Sequence, residues 1–253
     1  MSKICPKTLG PPDSHGRQEL QEPQHQEEPQ EEQLSTLQQA QYQEWYMSWM
    51  LWYIQNNDLS GLQMLLATHG FHDFVTPQGL RPAHLAARCQ LPEVLSVLVG
   101  VGASVNEYSP SSSSVLQLAM QGYPADQEAS LSMARGLLQP LPSGGASPVT
   151  DRHILGEALQ VAAGEGWARL VPLLLAAGAH PDYCSPADEF RMTPAVGMIF
   201  ENQARPGHCA ALRELLAAGM DLAHLSNQWT VVEYAQHYGR DDLLPLLLAA
   251  ASR

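Results

Sequence analysis

Lysine is nearly missing from this chain. There is none after Lys7, and Lys plus Arg total 13 against 26 Asp plus Glu, for a net charge of −13. Phosphate backbones are gripped by dense positive charge, so an acidic chain of this kind argues against nucleic acid as a ligand and points to a protein partner with a basic surface. The same acidity also keeps a protein soluble, and an all-arginine set of cations carries no function by itself. Cysteine is sparse as well. Cys5, Cys89, Cys184 and Cys209 show no C-x-x-C spacing, which excludes a disulfide framework or zinc site of ordinary pattern and leaves reduced thiols as the expectation. The histidines in "HGFH" (His69, His72) and "GHC" (His208) have no second ligand pair at usable spacing, so no metal is expected. No apolar run approaches the roughly 20 residues of a membrane span, and "MSKICPKTLGPPDSHG" holds no apolar stretch for a secretory signal. A cytoplasmic location is therefore expected. Also missing are G-x-S-x-G, H-E-x-x-H and a phosphate-binding glycine loop; "SGGAS" (143–147) follows a proline run and reads as a linker. No catalytic residue, cofactor or metal ligand is assigned, and the chain is not expected to be an enzyme.

What the sequence does have is hydrophobic content, 45% over 253 residues, enough for one domain or one elongated array plus a tail. Residues 1–40 are Gln, Glu and Pro with few large apolar groups, which cannot repay the entropy of ordering, so they read as a disordered tail. From Gln41 the composition changes to "QYQEWYMSWMLWYIQNND". Tyr42, Trp45, Tyr46, Trp49, Met50, Trp52 and Tyr53 cover most of a helix surface at helical spacing. A helix over Tyr42–Ile54 would serve as a hydrophobic cap on the rest of the fold, as a partner surface, or as a membrane anchor; the last is weakest because it lacks a basic face.

Beyond it a phrase recurs: "MLLATHG" (64–70), "VLVGVGA" (97–103), "LLLAAGA" (173–179), "ELLAAGM" (214–220) and "LLLAAAS" (246–252). Each closes a helix, and the first four carry the glycine that a left-handed C-terminal cap favours. Upstream of three of these lies a second, alanine-rich helix, in "HLAARCQLPEVLSVL", "LQVAAGEGWARLVPLLL" and "VEYAQHYGRDDLLPLLL". Proline follows the turn glycine by the same interval in the last two, Gly166 to Pro172 and Gly239 to Pro245, where it falls in the first turn of a helix. The unit is two antiparallel helices and an extended turn. It resembles the ankyrin repeat: "RPAHLAA" stands where that family has T-P-L-H-x-A, "GASVN" stands at the turn out of the second helix, and Thr193–Pro194 repeats the opening of the phrase.

The resemblance implies an all-α solenoid of about six units, near 42–77, 78–110, 111–150, 151–188, 189–226 and 227–253, the first and last acting as caps. His84 occupies a repeat position that its siblings fill with Leu51, Gln117, Gln160, Val196 and Glu233, so it is read as a local hydrogen-bonding residue without a catalytic role. The third and fifth units carry insertions, "YPADQEAS" and part of "FENQARPGHCAALRELL", which in repeat proteins map to loops and often to the binding face. In the family the turns form projecting fingers that bind partners. Position by position, this puts Phe74, Glu107, Tyr108, Tyr183, Asp188, Glu189, Phe190 and Trp229 at the tips as partner-binding residues, with some rings able to fold back onto the array. The implied function is protein recognition: an inhibitor or immunity protein of the antitoxin kind masking a basic partner, or an adaptor that recruits a second protein through the Gln/Glu-rich tail.

Overall fold

The computed structural model describes residues 28–109, 113–121, 127–139, 149–186, 188–200 and 204–252. They form helices α1 (Glu28–Gln55), α2 (Leu59–His69), α3 (Pro82–Arg88), α4 (Pro92–Gly100), α5 (Val115–Met120), α6 (Gln127–Leu138), α7 (Arg152–Gly164), α8 (Val171–Ala176), α9 (Pro194–Phe200), α10 (His208–Ala217), α11 (Val231–His237) and α12 (Leu244–Ala251). Among the described residues there is no strand, only isolated bridges at Tyr108–Ser114 and Ser226–Trp229. None of these helices is long and apolar enough to cross a membrane.

Local chemistry sets the helix ends. Ser114 with Gln117 and Thr230 with Glu233 form capping boxes at the starts of α5 and α11, and Asp151 accepts from the His153 and Ile154 amides at the start of α7. Proline opens α3, α4, α8 and α12, where its missing N–H is an orphan in any case. The turn linking the two helices of a unit passes through a left-handed residue: Asn57 (φ 53°), Gln90 (57°), Gly166 (69°) and Gly239 (63°). Gln90 is the least suited of these to that backbone. Its side-chain amide donates to the Ala87 carbonyl at 3.0 Å and to the Leu118 carbonyl at 2.9 Å, tying its own unit to the next.

The six pairs stack in two layers. The inner helices α3, α5, α7, α9 and α11 pack in succession, as do the outer helices α2, α4, α6, α8, α10 and α12, while α1 packs on α2 and α3. Alanines at the inner layer (Ala83, Ala87, Ala119, Ala158, Ala195, Ala235) are fully buried and let these helices approach closely; leucines of the outer layer (Leu62, Leu98, Leu131, Leu174, Leu215, Leu247) fill the space between layers. One continuous core runs from Tyr46 to Leu247.

The aromatic helix is longer than its sequence signal. It starts at Glu28, so its first turns lie inside the segment expected to be a tail, of which residues 1–27 fall outside the described residues. Tyr46, Met50 and Ile54, one helical turn apart, are buried against the first unit, and the Tyr46 hydroxyl donates to the Gly70 carbonyl at 2.9 Å. Tyr42 and Trp45 remain exposed.

A buried polar cluster joins the last three units. Arg240 donates through Nε and Nη2 to the Asp242 carboxylate, both at 2.9 Å, and through Nη1 to the Met198 carbonyl. Its Nη2 also lies 2.9 Å from His208 Nδ1, whose ring partner Nε2 is 2.7 Å from the Gly164 carbonyl. Because a carbonyl can only accept, Nε2 carries the proton and Nδ1 receives from the guanidinium. The described end of the fifth unit's insertion belongs to this cluster: Arg205 pairs with Glu165, and Gly207 (φ 125°) sits so close to the Gly166 carbonyl that a side chain there would collide with it. That stretch therefore faces inward as a clamp between units. Of the third unit's insertion "YPADQEAS", residues 123–126 lie outside the described residues, while 127–130 form the first turn of α6, where buried Ser130 Oγ donates to Gln90 Oε1 at 3.3 Å.

Two outcomes are expected. Leu174→Ala, at a fully buried site, should cost about 2–5 kcal/mol in urea unfolding, whereas Leu248→Ala, half exposed, should change stability by no more than about 0.5 kcal/mol. Burial holds the His208 and His84 pKa values below the usual 6.5. The unfolded chain thus binds protons at these sites first, so their contribution is complete above about pH 6.5 and lost as pH falls through the lowered folded values. The urea midpoint should drop between pH 7.5 and 5.5, and His208→Gln should flatten that dependence.

Candidate functional site

Among the described residues, four of the loops that join successive units project beside the inner helices, over residues 70–81, 101–109 with 113–114, 177–186 with 188–193, and 218–230, here called the first to fourth fingers. The second and third are pinned at their bases by inner-helix polar groups. His84 Nε2 donates to the Glu107 carbonyl at 3.1 Å, and Gln160 Nε2 does the same work one finger on, donating to the Met192 carbonyl at 2.6 Å and the Tyr183 carbonyl at 3.4 Å. Imidazole and carboxamide are interchangeable here because the position needs one N–H.

The tip residues have different fates. Phe74 is half-buried and lines a groove of about 920 Å³ with Tyr42, Tyr46, Met47 and Phe71, between the first finger and α1. Glu107 is engaged within the fold: Arg81 bridges it to Asp73, whose carboxylate lies 2.7 Å from Arg81 Nη1, and Ser104 Oγ donates to Glu107 at 3.0 Å. Tyr108 keeps 41% of its surface exposed, but its hydroxyl donates to Glu157 on α7 at 3.0 Å. Desolvation first, then that carboxylate, push the Tyr108 pKa far up. Tyr183 has folded back, its ring lying so flat over Gly156 that a methyl group there would collide with it, with the hydroxyl 3.3 Å from His153 Nδ1. Asp188 is a loop staple, accepting from the Phe190 amide at 3.0 Å and the Met192 amide at 2.8 Å. That staple turns Phe190 outward, 56% exposed, next to the exposed Glu189.

The fourth finger closes with Ser226 and Trp229 exchanging backbone hydrogen bonds at 2.9 and 3.0 Å across Asn227 and Gln228, both at positive φ. Ser226 Oγ donates to the Arg191 carbonyl at 2.9 Å, joining the third and fourth fingers. Trp229 is thereby held 37% exposed, its ring 5.4 Å from Tyr234 and 4.6 Å from His237. Phe190 and Trp229, distant in sequence, line one pocket with Phe200, Tyr234 and Tyr238. The last three were not among the sequence candidates. Their signal was Tyr234 and Tyr238 at i, i+4 on an inner helix, which places both rings on one face.

Other chemistry near the fingers is muted. Burial raises the Cys184 pKa, so the group is a thiol, 3.2 Å from the Arg191 carbonyl and 3.5 Å from His224 Nε2. Among the described residues no three His, Cys, Asp or Glu side chains converge as a metal ion would require. What the face offers is ring surface and carboxylates on a pinned scaffold, chemistry suited to recognition.

No protein-family model matches the chain, and no curated protein sequence matches it. Solved structures do. An ankyrin repeat domain from Acinetobacter baumannii superposes with a TM-score of 0.65 at 22% identity, covering 79% of this chain and 95% of that one. The ankyrin repeat domain of Bcl-3, described as a unique member of the IkappaB protein family, gives 0.62 at 22% identity over 78% of this chain and 83% of its own. A further ankyrin repeat protein gives 0.65 at 22% identity over 79% and 96%. Helix pairs in two layers, projecting fingers pinned by His84 and Gln160, and these superpositions together make the fold of this chain the ankyrin-repeat fold.

Proposed function

We propose that the chain is a non-enzymatic protein-binding module that docks a partner of basic surface on its finger face, masking that surface as an inhibitor or immunity protein of the antitoxin kind does. The observation that carries this reading is the set of large rings left exposed on pinned loops. Phe190, Trp229 and Tyr108 stand out from the array although the fold buries comparable groups elsewhere, and rigid aromatic anchors lose little entropy on binding. Glu157 and Glu189 lie beside them and the net charge is −13, so a basic partner would be steered to this face and its binding would weaken with salt.

A second reading, an adaptor, is favoured by α1. Residues 38–45 of that helix are exposed, Tyr42 and Trp45 among them, at the opposite end of the array from the Phe190–Trp229 pocket. A second protein held there would leave the finger face free for the first.

The test is capture of partners from the native cells by the full-length chain, followed by activity assays of whatever binds. A basic protein whose own activity is blocked on binding, and which is released by salt, fits the inhibitor; an unblocked partner retained by Phe190→Ala, Trp229→Ala but lost with Trp45→Ala fits the adaptor. For the inhibitor, Phe190→Ala and Trp229→Ala should each weaken binding by tenfold or more, about 1.4 kcal/mol, with the melting temperature held. Tyr183→Ala should instead lower the melting temperature, since its ring is packed on α7.

A further inference from the structure

The pocket between the third and fourth fingers has a composition that selects for one kind of ligand. Trp229, Tyr234, Tyr238 and Phe200 follow one another in a row, with ring centroids 5.4, 6.2 and 5.5 Å apart. Phe190, Met192 and Asn227 complete the lining of a space of about 140 Å³. Clefts for drug-sized molecules are roughly 300–1,000 Å³, so this one has room for a head group of a few heavy atoms.

The electrostatics narrow the choice. The face of an aromatic ring is negative and attracts cations. Asp188, whose carboxylate accepts from the amides of the lining residues Phe190 and Met192 at 3.0 and 2.8 Å, sets a negative charge at the edge of the pocket. A cation is therefore favoured over an anion. An unmodified lysine or arginine head would bring three or five N–H donors that must find acceptors on leaving water. No carboxylate lines the pocket, and the polar side-chain acceptors on its lining are only the neutral Asn227 carboxamide and the Tyr234 and Tyr238 hydroxyls. A quaternary ammonium has no N–H to satisfy, and its charge is spread over methyl groups that pack on ring faces.

We propose that this pocket binds a quaternary ammonium group, presented either by a trimethylated lysine side chain or by free choline. The site shares Phe190 and Trp229 with the proposed docking face, but it is tested with small probes and no protein partner present, so the two proposals fail separately.

The experiment is proton NMR of small probes with the full-length chain at pH 8 and millimolar probe. The probes are Nα-acetyl-trimethyllysine amide, choline, the unmethylated lysine derivative, and 3,3-dimethylbutan-1-ol, the neutral carbon isostere of choline. The N-methyl signals should move upfield, as protons over ring faces do, with both neutral isostere and unmethylated lysine binding about tenfold more weakly or worse. Trp229→Ala should abolish the shift while thermal melting stays cooperative; should that variant unfold, Phe190→Ala, which alters a more exposed ring, must weaken binding in its place. Trimethyllysine amide binding more tightly than choline assigns the pocket to modified protein, and choline binding as well or better assigns it to a free small molecule; both outcomes uphold the site. Equal binding of the neutral isostere, or no shift from either ammonium probe, overturns it.

Discussion

No helix pair in this chain can hide its own apolar surface, and the rest of the structure depends on that constraint. Most inner helices are six or seven residues long, well under the length at which an isolated helix holds together in water. They persist because each lies between two neighbours, with alanines such as Ala87, Ala119 and Ala158 at the contacts and outer-layer leucines closing the space behind them. Stability is consequently a property of adjoining units, as expected of a quasi-one-dimensional array.

Polar groups that reach across unit boundaries convert this stack into a scaffold of defined geometry. Gln90 bonds its own turn and the following inner helix, Arg81 spans the first two fingers, Ser226 ties the fourth finger to the third, and Arg240 joins His208, Asp242 and the end of α9. Loops held in this way can present large rings to solvent without collapsing over them. The exposure of Phe190 depends on the Asp188 staple, and that of Trp229 on the Ser226–Trp229 turn. The same pinning sets the spacing between fingers that makes a shared pocket from their side chains.

The fold was legible in the sequence because its signals are local and repeated. A glycine after four of the five leucine-rich phrases, a proline in the first turn of a leucine-rich helix, and an alanine-rich short helix before it recur often enough to identify the unit, and the equivalence of His84 with Gln160 is visible as a repeat position before it is visible as a hydrogen bond. The candidate site was legible only in part. Glycine and proline spacing located the fingers, and Phe190, Trp229 and Tyr108 do stand exposed on them. Yet Tyr183, two fingers on from Phe74 in the same kind of segment, lies against Gly156, and Glu107 is taken up by Arg81. Whether a loop ring points out or in depends on what the neighbouring helix leaves open, and Gly156 leaves room that no property of the finger announces.

The sequence by itself determined the all-α class, the helix–turn–helix unit, the number of pairs and the location of the fingers, since each rests on backbone preferences expressed within a few residues of the chain. Only the tertiary structure decided which groups meet: Phe190 with Trp229 and Tyr238, Tyr108 with Glu157, His208 with Arg240. These pairs are separated by one or more whole units, and their distances are set by the pitch of the stacked helices, a sum of packing contacts that no single stretch of residues encodes.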